Sequence, residues 1–192
     1  LLDGLPASGD GARMPNELDV LRIVTERLGR LEMPFMLTGS LAMAYYATPR
    51  MTRDLDLIVA LQEADVGKLL GEFASDFYVD ADAARDAVRS GRMFNMMHLE
   101  SGIKLDMIIK KSTPYRDLEF SRRASGVLGG VQTWLVSRED LILSKLNWAR
   151  DSDSELQQRD VRALLADTVD WPYLKLWAAD LGVTDLLDRL SR

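Results

Sequence analysis

The chain has no cysteine and a single histidine, His98. Disulfides and thiolate metal sites are thereby excluded, as are zinc sites built on several imidazoles. Any metal held here is held mainly by oxygen, which favours magnesium, manganese or calcium. No run approaches the roughly 18 apolar residues that span a bilayer. The first residues show no basic end followed by an apolar stretch, so no secretory signal is read there. The expectation is a cytoplasmic protein with no membrane partner. Neither a Walker A loop nor a G-x-G-x-x-G run is present, which sets aside P-loop NTPases and dinucleotide enzymes. The net charge is -6, so the overall field does not steer nucleic acid. One stretch runs against that balance: from Lys104 to Arg123 there are six basic and three acidic residues. Such a strip can meet phosphates, although a strip of this size is more often only solvated surface.

What is present suits a folded protein. Apolar residues make up 47% and charged residues 28% of 192, enough for a real core and too apolar for disorder. Residues 1–13, rich in Gly, Ala, Ser and Asp, read as a disordered lead-in. Residues 14–136 read as a mixed α and β core, and 137–192 as a helical subdomain. Pro15 and Asn16 precede a helix with Leu18, Leu21, Val24 and Leu28 on one face. Phe35-Met36-Leu37 reads as a short buried strand, stopped by Thr38-Gly39-Ser40. A short helix, Leu41 to Ala47, follows and Pro49 closes it. Strands are expected at Asp54–Val59, Phe94–Leu99, Ile103–Ile109 and Val131–Val136. Helices are expected at Glu63–Phe73 and Asp82–Arg89. After Ser137, which with Asp140 resembles a capping box, helices are expected to about Arg150, then at Glu155–Leu165, Pro172–Leu181 and Thr184–Leu190. The fold class is α+β: a mixed sheet flanked by helices, with a C-terminal helical bundle.

The sequence Asp-x-Asp occurs three times, and context separates the three. Asp80/Asp82 precedes a helix and reads as capping chemistry, while Asp151/Asp153 lies in a polar loop. Only Asp54/Asp56 heads an apolar strand, where residues two apart face the same way. Asp106 interrupts another strand fit for burial. An unpaired buried carboxylate costs several kcal/mol, so Asp106 needs Lys104, an arginine or a metal beside it. Three carboxylates from two strands can neutralise most of the charge of two divalent cations. Such a site stabilises the attacking and leaving oxygens of a phosphoryl displacement. Gly39-Ser40, between a strand and a helix, is where free N–H groups gather to meet an anion; read alone, it is an ordinary turn and cap.

Taken together, Gly39-Ser40, thirteen residues, then Asp54-Leu55-Asp56, with Asp106 on a later strand, resembles the DNA polymerase β-type nucleotidyltransferases. Pro49-Arg50-Met51-Thr52-Arg53-Asp54-Leu55-Asp56, Lys104-x-Asp106 and Ser137 to Leu146 with Arg150 and Arg159-Asp160-Val161 look similar to the AbiEii-type toxins and related bacterial nucleotidyltransferases. The thirteen-residue spacer is longer than the AbiEii pattern. The resemblance implies transfer of a nucleoside monophosphate from a triphosphate to an acceptor hydroxyl. Asp54, Asp56 and Asp106 would hold two Mg2+ ions, with Mn2+ as a substitute, and Asp106 would assist deprotonation of the acceptor. Gly39 and Ser40 would hold phosphates, and Lys145 would neutralise triphosphate charge. The acceptor implied is RNA, such as a transfer RNA, with an antitoxin protein as partner. A small hydroxylated acceptor and a non-catalytic nucleotide-binding protein are the alternatives.

Other residues carry blander readings. Lys145 reads equally as a solvent-facing lysine with its stem on apolar surface. Arg50 and Arg53 either bind phosphate or balance Asp54. Asp160 is expected to pair with Arg159 or a helix end. Trp148, Trp171 and Trp177 are expected to pack the helical bundle rather than stack on bases. His98 reads as structural, and one of Tyr45 and Tyr46 is expected to face the site.

Overall fold

The structure, a computed structural model, describes residues 13–48, 52–152 and 154–192. The lead-in at 1–12, together with Pro49, Arg50, Met51 and Asp153, lies outside the described residues. The chain begins with helix α1 (Glu17–Arg30), strand β1 (Phe35–Thr38) and helix α2 (Gly39–Tyr46). Strand β2 (Asp54–Val59), α3 (Glu63–Phe73), β3 (Phe77–Val79), α4 (Ala81–Ser90) and the hairpin β4 (Met93–His98) with β5 (Lys104–Ile109) follow. Then come α5 (Pro114–Ser121) and the hairpin of β6 (Ala124–Leu128) with β7 (Val131–Leu135). Four helices end the chain: α6 (Arg138–Ser152), α7 (Glu155–Leu165), α8 (Trp171–Asp180) and α9 (Thr184–Leu190). No helix among the described residues is long and apolar enough to cross a membrane.

Among the described residues, seven strands form one mixed sheet in the order β3-β4-β5-β2-β1-β7-β6. β2 runs parallel to β5 and antiparallel to β1, which is parallel to β7. The fold class expected from the sequence is thus the one found. Local chemistry explains the starts of the elements. Asn16 caps α1 in a full capping box with Asp19, and Asp80 caps α4 by accepting from the N–H groups of Asp82 and Ala83. On α1, Val20, Leu21, Val24 and Leu28 are fully buried, whereas Leu18 is only half-buried at the edge of that face.

Three elements were not expected: β3, α5 and β6. β3 has three residues and β6 contains Gly126, so neither carries a periodic signal long enough to stand out. α5 starts on Thr113, whose hydroxyl accepts from Arg116 N–H, with Pro114 at its first position. The capping box expected at Ser137 is half formed. Asp140 N–H donates to Ser137 Oγ at 3.2 Å, but the Asp140 carboxylate turns inward and takes the Ser137 hydroxyl at 2.5 Å.

That carboxylate is fully buried and ties the C-terminal helices to the core. It accepts from Tyr173 Oη on α8 at 2.6 Å, Tyr115 Oη on α5 at 3.3 Å and Arg122 Nε at 3.1 Å. Arg122 in turn lies 3.9 Å from the centre of the Tyr173 ring. Burial, then the Asp140 carboxylate, holds the Tyr173 hydroxyl well above its usual range, so it stays a donor. One continuous cluster of buried residues runs from α1 through the sheet to α9. Asp140→Ala would leave a cation and three hydroxyls around it without their acceptor. It should lower unfolding free energy by about 3–5 kcal/mol in urea denaturation, and Tyr173→Phe by about 1.5–3 kcal/mol.

Candidate active site

The register of four strands sets side chains in rows across one face of the sheet. Asn95 on β4 pairs with Asp106 on β5, Asp106 with Asp56 on β2, and Asp56 with Thr38 on β1. Neighbouring strands lie about 4.8 Å apart, so two carboxylates stand side by side in this row. Asp54 sits one step toward the start of β2, in register with Lys104. On the other side of the acidic row lies an apolar one, Met93, Ile108, Ile58 and Met36. Leu55, Leu57, Leu105 and Met107 point to the opposite face and are fully buried, which anchors both acidic strands.

The acids differ in environment. Asp56 is half-buried, and its carboxyl is pushed up to about 6, chiefly by burial, then by the charges of Asp106 and Asp54. Lys145 and the Ser40 backbone N–H oppose the shift. Asp106 accepts from Asn95 Nδ2 at 2.6 Å and pairs with Lys104 Nζ at 2.8 Å, so the partner expected for it is Lys104. That pairing raises the Lys104 ammonium above its usual value. Asp54 is exposed.

The Gly39-Ser40 bend is built against Asp56. Gly39 has φ +66°, which favours glycine, and a Cβ there would lie 1.9 Å from Asp56 Oδ2. Ser40 is buried, and its N–H reaches the same carboxylate. Beside them Thr38 Oγ1 is buried, with no hydrogen-bond partner among the described residues. The bend opens α2, whose first N–H groups have no helical acceptor.

Thr38, Gly39, Ser40, Asp56 and Asp106 line a cleft of about 600 Å³, whereas Asp54, Lys104 and Asn95 are not among its lining residues. Its floor is the β2–β5 face with Thr38, Gly39 and Ser40, and one wall is α6, contributing Leu141, Ser144, Lys145, Asn147 and Trp148. Lys145 is not solvent-facing. It is 3% exposed and pairs with Asp160 Oδ2 on α7 at 2.6 Å, with Gln157 Oε1 at 3.2 Å. Asp160 therefore pairs across two helices, not with Arg159 or a helix end.

Arg53 is exposed and is not among the residues lining the cleft. Besides Lys145, the basic groups that line it, Arg92, Lys110, Lys111 and Arg116, were not singled out from the sequence, although three belong to the Lys104–Arg123 strip. Arg116 is held by both oxygens of the buried Glu119, at 2.9 and 2.8 Å. Thr38 and Asn95 were also missed; their signal is register, which the sequence does not display. Trp148 departs from the bundle-packing expectation: it is 59% exposed and lines the cleft. Trp177 does pack, against Tyr115 and Tyr173. Neither Tyr45 nor Tyr46 lines the cleft; Tyr46 Oη donates to the Val136 carbonyl at 2.6 Å. His98 is buried on the opposite face, bonded to Ser101 and set edge-on to the Phe77 ring.

Among the described residues, no three His, Cys, Asp or Glu side chains stand close enough to close around one ion. The donor set is nonetheless of the right kind. It is all oxygen, and the repulsion that raises Asp56 is the kind a divalent cation relieves.

The elevated Asp56 has a consequence for stability. Between pH 3.8 and about 6 the folded protein binds a proton that the unfolded chain does not, so stability falls as pH rises through that window. Asp56→Asn should therefore stabilise the metal-free protein by about 2–3 kcal/mol at pH 7.5, with the gain shrinking toward pH 4. Thermal unfolding of both proteins across that range, in chelator, tests it; a gain unchanged with pH would contradict it.

The comparisons with known proteins agree with this architecture. Residues 16–189 match the family described as "Nucleotidyltransferase of unknown function (DUF6036)". Among solved structures, an antigenic nucleotidyltransferase-like protein from Paracoccidioides brasiliensis has a similar fold, with TM-score 0.57 and 18% identity over 89% of this chain and 90% of that one. The lincosamide antibiotic adenylyltransferase LnuA, in its lincomycin-bound form, gives TM-score 0.54 and 12% identity over 81% of this chain and 100% of that one. At such identities the likeness is one of fold. No curated protein matches the sequence.

Proposed function

This chain belongs to the nucleotidyltransferase family DUF6036, and from that premise we propose that it moves a nucleoside monophosphate from a nucleoside triphosphate to an acceptor hydroxyl. The observation that carries the reading is the row Asp106–Asp56–Thr38 on the cleft floor, with the Gly39-Ser40 bend against it. Asp54, Asp56 and Asp106 would hold two Mg2+ ions, for which Mn2+ can stand in. When bound, the ions neutralise triphosphate charge and favour in-line displacement at phosphorus.

The chain's own groups do the rest. The N–H groups opening α2, with Ser40, supply donors to the β and γ phosphates, and the Thr38 hydroxyl adds one more. Lys145, fixed by Asp160, faces the growing negative charge. The acceptor oxygen bonds to the α-phosphorus, the bond to the bridging oxygen of the β-phosphate breaks, and pyrophosphate leaves. Asp106 takes the acceptor proton. Lys104 Nζ lies 2.8 Å from that carboxylate and fixes its position. Arg53 reaches phosphate only at the mouth of the site, given its exposure.

RNA, including transfer RNA, is the acceptor best matched by the cationic lining of Arg92, Lys110, Lys111 and Arg116. An antitoxin protein belongs to that reading. A small hydroxylated acceptor is the second reading, supported by the net charge of -6 and the bounded cleft. Incubation with α-labelled triphosphates and Mg2+ should move label onto RNA in the first case and onto a panel of hydroxylated small molecules in the second. Asp56→Asn should reduce transfer by at least about 100-fold, the scale of losing a main electrostatic group. Tight triphosphate binding with no transfer to any acceptor, unchanged in the variant, would instead identify a nucleotide-binding module.

A further inference from the structure

The cleft floor changes character within one step along the strands. The acidic row at Asp56 and Asp106 gives way to the row of Ile58, Ile108 and Met93, about 7 Å farther on at two residues of strand rise. Ile58, Ile108 and Met93 all line the cleft, and Met93 is 41% exposed. The α6 wall of the same cleft carries both a charged and an aromatic group. On α6 the cleft-lining residues Leu141, Ser144, Lys145 and Trp148 follow the three-and-four spacing that puts them on one helical face. Lys145 stands by the acids, and Trp148 lies one turn beyond it.

Trp148 has no structural reason to be exposed there. The other three tryptophans have ring or cation contacts, or a helix start, to account for them. Trp134 lies under Arg123, 5.2 Å from its ring centre, Trp177 packs on two tyrosines, and Trp171 opens α8 beside Pro172. Trp148 is the most exposed of the four and supplies the only aromatic ring among the described cleft-lining residues. Its backbone is firmly placed, next to the buried Leu146 and Ala149. An exposed indole on a rigid helix, bordering an apolar floor beside a phosphate-sized bend, is suited to a flat aromatic ligand.

We propose that Trp148 is the stacking platform for the base of the donor nucleotide, with Ile58, Ile108 and Met93 beneath it. This rests on the nucleotidyl-transfer reading and adds to it a base-selecting residue. A ring face recognises any base, so selection follows stacking area and purine nucleotides bind more tightly than pyrimidine ones.

The test is calorimetry with Mg2+ and three probes: the α,β-methylene analogues of ATP and CTP, which cannot transfer, and inorganic tripolyphosphate. Trp148→Ala should weaken the ATP analogue roughly 10- to 100-fold and the CTP analogue less, and leave tripolyphosphate unchanged. Trp148→Phe should keep the ATP analogue within a few-fold of native. Equal losses for the analogue and tripolyphosphate would show a merely structural residue and overturn the proposal. So would an unchanged ATP affinity in Trp148→Ala. In both cases the native protein still binds nucleotide, and the transfer reading stands. A native protein that binds neither analogue would sink both.

Discussion

Two carboxylates on neighbouring strands repel each other, and much of the molecule is arranged so that the repulsion is tolerated rather than removed. Asp56 is half-buried beside Asp106, and its carboxyl is raised to about 6 as a result. Asp106 leans away, toward Lys104 and Asn95. Ser40 N–H and Lys145 draw on Asp56 from the other side. A fold that served only stability would place leucines at these positions, as it does at Leu55 and Leu57 on the opposite face. Local cost concentrated at one spot, surrounded by supporting partners, is the physical signature of a site rather than of a core.

The C-terminal helices matter to that arrangement through two buried carboxylates. Asp140 fixes the start of α6 against α5 and α8, and Asp160 fixes its middle against α7. Between them, α6 has little freedom to roll, and the residues it turns toward the sheet stay turned. Lys145 is therefore held as a positioned charge rather than as a mobile one on a flexible stem. The same rigidity sets the attitude of Trp148.

How much of this was legible from the sequence depended on range. Asp54–Val59, Glu63–Phe73, Glu155–Leu165 and Thr184–Leu190 match their observed bounds because period and punctuation agree there. β3 and β6 escaped because three residues, or five with a glycine, show little period. Within the candidate site, the pattern Gly39-Ser40 to Asp54-x-Asp56 and the odd position of Asp106 pointed to the face of the sheet that floors the cleft. The lateral partners did not announce themselves. Asn95 and Thr38 join the row through pairing between strands, and Lys145 meets Asp160 fifteen residues away across two helices. Trp148 misled because a tryptophan at helical spacing is usually packed, and only the placement of α6 over the cleft shows this one uncovered.

The contact between the Gly39 backbone and the Asp56 carboxylate leaves no room for even a methyl group. Bend and acid are thus interlocked parts, and neither can drift in evolution without the other. A change at position 39 would strain one tight turn and push the carboxylate from its seat, while the sheet, its hydrophobic underside and the helical wall stayed in place. A single side chain at that turn would disarm the cleft floor and leave the architecture standing.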